Sequence, residues 1–153
     1  MDDSKMNDSE MSGMKGALNW VFCDGDLPPK AAGANDTNDA NGANDANDAN
    51  NCMLDAHEAL MVVNLNEKAA GLAIDILFED KPPMLGIKAH VDGQRIRCFR
   101  LDKPLGGEPG GGYTIPAGQY ALVLHSDIPV FAVFGRLDVR SPLAYYTVQG
   151  HTY

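Results

Sequence analysis

A chain of 153 residues with 21 acidic against 12 basic side chains, and hence a formal charge of −9, has room for about one domain and repels nucleic acid. Its three cysteines, Cys23, Cys52 and Cys98, are far apart and odd in number, which argues against a disulfide framework and a thiolate metal site and fits a reducing cytoplasm. The opening MDDSKMNDSEMSGMKG lacks the basic start and apolar centre of a signal peptide, and no apolar run approaches the roughly 18 residues that span a bilayer, so a soluble cytoplasmic protein is expected.

Residues 1–16 are polar and without periodicity, which predicts a disordered arm ahead of a single domain at 17–153. Leu18 to Phe22 is a short apolar and aromatic run stopped by Asp24-Gly25-Asp26 and Pro28-Pro29, as in a strand followed by a turn. Residues 34–50 then read ANDTNDANGANDANDAN, with no large apolar side chain. Asn and Asp hydrogen-bond their own backbone, so a disordered surface loop is predicted over 31–52. Its closure entropy grows only logarithmically with length, which makes so long an insertion tolerable. The remaining roughly 110 residues form a small core with little margin of stability, which oligomerisation would raise.

From His57 onward short strands follow one another. Ala59 to Leu65 is a buried-looking run closed by Asn66-Glu67-Lys68, and Gly71 to Phe78 alternates with period two. Leu85, Ile87, Ala89 and Val91 alternate again, and Asp92-Gly93 is the signal of a two-residue hairpin into Gln94 to Leu101. After the glycine-rich Pro104 to Gly112, which lacks any phosphate-loop lysine, come Tyr120 to Ser126, Val130 to Leu137 and Ala144 to Gly150. Asp127-Ile128-Pro129 and Asp138 to Pro142 punctuate them. About eight short strands with no helical pattern predict an all-β fold, an antiparallel β-sandwich or jelly roll. Arg95, Arg97, Arg100 and Lys103 are the one basic cluster, which reads as a solvated strand face rather than a phosphate site.

The blocks NWVFCDGDLPP at 19–29, HEALMVVNLNEKAA at 57–70, ILFEDKPP at 76–83 and HSDIPVFAVFGRLDVRSPLAYYTVQG at 125–150 resemble the sensory rhodopsin transducer family. The Asn-Asp-Ala insertion and the loop PLGGEPGGG depart from that family's pattern. The resemblance implies a jelly-roll-like sandwich similar to carbohydrate-binding modules, a homotetramer and a signalling role. That role includes a small polar or sugar-like ligand, or a membrane-receptor or other protein partner.

Within the matching blocks the candidate ligand-binding residues are Trp20, Asp24, His57, Glu58, Arg136 and Asp138. Arg136, Asp138 and Arg140 share one side of an extended chain and could present planar donors to a carboxylate or form salt bridges within or between subunits. Trp20 is either core, the favoured reading, or a platform for a sugar ring. Asp24 stands where a turn former is ordinary. His57 and Glu58 are strand neighbours and face opposite ways, so they share a site only across a bulge. His125 reads as a satisfied histidine more readily than a ligand contact. With no nucleophile motif, zinc-spaced ligands or phosphate cradle, neither catalysis nor a cofactor or bound metal is expected; the alternatives are a metal-dependent hydrolase built on His57, His125 and His151, or a purely structural oligomer.

Overall fold

The computed structural model describes residues 15–27, 57–106, 112–138 and 144–153. The arm at 1–16, but for its last two residues, and the Asn-Asp-Ala loop at 31–52 lie outside them. Among the described residues every regular element is a strand: β1 (Ala17–Leu27), β2 (His57–Asn64), β3 (Ala70–Leu77), β4 (Met84–Val91), β5 (Arg95–Arg100), β6 (Gly118–Asp138), β7 (Ala144–Val148) and β8 (Gly150–Thr152). One sheet runs β4-β3-β6-β1-β8, a second joins β5 to β2, β2 to β6 and β6 to β7, and all pairs are antiparallel. The fold is the expected eight-stranded β-sandwich.

Its strand β6 is 21 residues long and belongs to both sheets, where two strands separated by Asp127-Ile128-Pro129 were expected. Tyr120, Leu122 and Leu124 are buried in its first half and Val130, Ala132, Phe134 and Arg136 in its second, with Ile128 between, so one parity faces the core throughout. Pro129 lacks an N–H and would interrupt a ladder, yet here it sits where pairing passes from one sheet to the other. Side chains serve the backbone around that point. Asp127 Oδ1 accepts from Gly71 N at 2.8 Å, Pro129 O from Asn66 Nδ2 at 2.7 Å, and Val130 O from Trp20 Nε1 at 3.2 Å.

Two further expectations are corrected. The strand expected over Ala144 to Gly150 is divided, with β7 pairing β6 and β8 pairing β1 in the other sheet. The Asp92-Gly93 turn does not make a hairpin, because β4 pairs β3 while β5 pairs β2, and the turn carries the chain across the sandwich. A Cβ on Gly93 would lie 1.9 Å from Glu67 O, and Gln94, at φ 55°, donates its N–H to Asn66 O at 2.9 Å. That corner is therefore fastened to the β2–β3 turn rather than to a hairpin partner. Buried Asn64 completes it: Nδ2 reaches Lys68 O at 2.8 Å, Val91 O at 3.2 Å and Asp92 O at 3.3 Å, and Oδ1 accepts from Asn66 N at 3.0 Å.

Between the sheets Phe22, Leu60, Val62, Leu72, Ile74, Ile76, Ile87, Leu122, Leu124 and Phe134 form one core. Each contributes about 1.5–3 kcal/mol through burial.

Candidate functional site

The inward parity of β2 and β6 brings a carboxylate and a guanidinium into the sandwich opposite one another. Glu58 pairs with Arg136 in the β2–β6 register, and both side chains are buried. Arg136 Nε donates to Glu58 Oε1 at 2.7 Å; the same oxygen accepts from Asp26 N at 2.8 Å, and Glu58 Oε2 accepts from the Tyr120 hydroxyl at 2.5 Å. Arg136 Nη1 donates to the Tyr146 hydroxyl, Nη2 to Asp24 O at 3.3 Å, and the guanidinium lies 5.3 Å from the centre of the Tyr146 ring. Charge removed from water is tolerable only when its lone pairs and protons are satisfied in this way.

The electrostatics follow the geometry. Burial, and then the Glu58 carboxylate, push the Tyr120 phenol far above its ordinary range, so it stays a neutral donor. Burial pulls the Arg136 guanidinium down, but its hydrogen bonds to Glu58 and Tyr146 outweigh that and hold it above its usual value. Tyr120 is aimed by Gly25, where a Cβ would lie 2.5 Å from the tyrosine ring.

Of the residues anticipated as a ligand site, the structure joins Glu58 and Arg136 directly and Asp24 through its backbone carbonyl. His57 is half-buried at the start of β2, on the face opposite Glu58. Trp20 packs on the edge of the core, its ring stacked at 6.3 Å on Phe22 and its indole N–H given to Val130 O. Asp138 ends β6 opposite Ala144; its side chain, like residues 139–143 with Arg140, lies outside the described residues. Beside the network, Cys23, Asp24, Phe78, Glu79, Gln119 and Tyr120 line an open cleft of about 300 Å³.

These blocks sit within a match of residues 15–152 to the sequence profile described as Anabaena sensory rhodopsin transducer. The chain belongs to that family. Among solved structures it is similar to the Thermotoga maritima protein 1070, at 26% identity and TM-score 0.65, over 92% of this chain and 97% of that one. It shares the fold of the Anabaena sensory rhodopsin transducer, at 23% identity and TM-score 0.62, over 82% of this chain and 91% of that one. No curated protein matches it.

In this transducer-family chain His125 is held on both sides, Nδ1 lying 2.9 Å from Asn19 Oδ1 and Nε2 3.2 Å from Asp75 Oδ2, while Asp75 Oδ1 accepts from Gly86 N at 2.6 Å. Four strands of one sheet, β1, β6, β3 and β4, are tied together on its outer face by that row. Among the described residues no three His, Cys, Asp or Glu side chains gather as a metal site, and no helix is long and apolar enough to cross a membrane. Sequence reasoning missed Tyr120, Tyr146 and Asn64. Tyr120 carried a signal, since it shares the inward parity of Leu122 and Leu124, and a buried phenol requires a partner.

Proposed function

We propose that this chain is a non-catalytic cytoplasmic signalling module that works as a homo-oligomer, a tetramer by family resemblance, and relays the state of a receptor or other protein partner. The observation that carries the reading is the outer face of the β5-β2-β6-β7 sheet. Ile96 is 64% exposed, Tyr145 62%, Val133 47% and Phe131 42%. Val63 is the register partner of both Ile96 and Phe131, and Met61 of both Cys98 and Val133, so these side chains form a continuous apolar surface. On an acidic chain such a patch marks an interaction surface, and a second copy offers it matching apolar area without burying charge. A transducer-family role supplies the receptor partner.

The small polar, sugar-like ligand belongs to the same reading. The cleft lined by Asp24, Glu79 and Gln119 offers polar groups beside a network that ties β1, β2, β6 and β7 together. A ligand there would bear on strands of both sheets, and Glu58, Arg136, Trp20, His57 and Asp138 would act as the frame that holds or adjoins it. Light scattering tests the oligomer: a mass four times 16.4 kDa is expected, and a monomer contradicts the proposal.

A further inference from the structure

The two sheets leave four strand edges without a neighbour among the described residues, β4 and β8 in the first sheet and β5 and β7 in the second. An unpaired edge is a template for another chain, and globular proteins guard it with charge, distortion or brevity. Three of the six residues of β5 are arginines, Arg95, Arg97 and Arg100. β4 carries Lys88, and its register on β3 shifts around Gly86, which has φ 68° and gives its N–H to Asp75 Oδ1. β8 is three residues long. β7, with the sequence AYYTV, has neither charge nor distortion.

That edge is also held ready. On its inward side the Tyr146 hydroxyl accepts from Arg136 Nη1, and Val148 packs against the core. On its outward side Tyr145 and Thr147 are exposed, and the Tyr145 hydroxyl lies over Gly135 of β6, where a Cβ would come within 2.5 Å of it. A strand ordered in advance loses little further freedom on pairing. A second copy of this chain is the partner that fits, because a strand paired antiparallel with itself makes the self-complementary contact of a twofold axis. With β7 fully overlapped, Tyr145 of each copy stands opposite Thr147 of the other and no like charges meet. The same pairing at β5 would set Arg95 of each copy against Arg100 of the other, which is destabilising.

We propose that β7 pairs antiparallel with β7 of a second copy, joining two four-stranded sheets into one of eight strands. The outer faces then lie on the same side of the joined sheet, so the apolar surface at Phe131, Val133 and Tyr145 doubles in width. The contact deepens the homo-oligomer reading and rests on it for the number four, since two edge-joined pairs meeting through the doubled face make the tetramer.

The test joins light scattering of the full chain to amide hydrogen exchange over residues 144–148, read by mass spectrometry. The expected mass is four times 16.4 kDa, with the β7 amides protected, including those directed away from β6. Thr147 is exposed and lies outside the Glu58–Arg136 network. Thr147→Lys sets two ammonium groups at diagonal positions of the paired strands, and it should halve the mass and speed exchange of the outward amides about tenfold or more. The circular dichroism should stay unchanged and Cys98 should stay protected from alkylation. Thr147→Val, which adds no charge, should keep both mass and protection. Outward amides of β7 that exchange freely in the parent, or a mass and exchange pattern that Thr147→Lys leaves unaltered, would overturn the edge pairing. A parent of twice 16.4 kDa with protected β7 amides and a freely reacting Cys98 would uphold the edge pairing and overturn the face contact alone.

Discussion

Glu58 and Arg136 meet across the β2–β6 ladder at 2.7 Å with both side chains buried, so each strand holds the other's charge inside the sandwich. Removing one partner strands the other. Arg136→Ala is expected to cost about 3–5 kcal/mol in chemical denaturation, and the double replacement Glu58→Met with Arg136→Met to recover part of that, because no buried charge is left alone. A double variant weaker than the sum of the single ones would contradict this account of the pair.

Tyr120 makes alkaline stability measurable. Its folded phenol titrates above its unfolded value, so as pH rises through about 10 the unfolded chain releases a proton that the folded chain keeps, and stability falls. Below that pH the contribution is fully present. Tyr120→Phe should lose about 1.5–3 kcal/mol near neutrality, the range for a hydrogen bond to a charged group, and should flatten the decline above pH 10. Denaturant midpoints measured from pH 7 to 11 check both.

Asn64 serves three backbone carbonyls at the corner where the chain crosses between sheets. Asn64→Ala leaves buried acceptors unsatisfied and should cost about 1–3 kcal/mol, and Asn64→Asp should cost more by setting a carboxylate against those oxygens. An aspartate variant as stable as the parent in urea melts would exclude this role.

For the cleft at Asp24, Glu79 and Gln119, a bound sugar at about a hundred times its dissociation constant adds roughly 2.7 kcal/mol and raises the melting midpoint accordingly. Gln119→Ala, at an exposed position, should abolish the shift without lowering the midpoint of the unliganded protein. A shift that survives the substitution would place the ligand elsewhere.

The legible part of this fold was its periodicity. Leu72, Ile74 and Ile76 on β3, and Tyr120, Leu122 and Leu124 on β6, announce strands and their buried face by alternation alone. Which strands pair was not legible, since Asp92-Gly93 signals a turn but not whether β5 folds back on β4 or crosses to β2. Asp127-Ile128-Pro129 likewise reads as a break, because a proline in a strand is tolerable only if its neighbours' backbone groups find partners, and those partners, Asn66 and Trp20, lie more than sixty residues away in the chain. In the candidate site, Glu58 and Arg136 were legible as polar residues inside the blocks that resemble the family. That they face each other depends on the β2–β6 register, which a single sequence does not display.

The apolar outer face of the second sheet is most directly tested through its own thiol. Cys98 lies on that face opposite Met61, whereas Cys23 is exposed on β1 of the other sheet. Alkylation of the native protein, followed by mass-spectrometric mapping of each cysteine, should show Cys98 protected relative to Cys23, and Ile96→Glu with Phe131→Glu should release both the protection and the oligomer. Cys98 reacting as fast as Cys23 in the parent protein would show that face open to water and contradict the assembly on which the signalling reading rests.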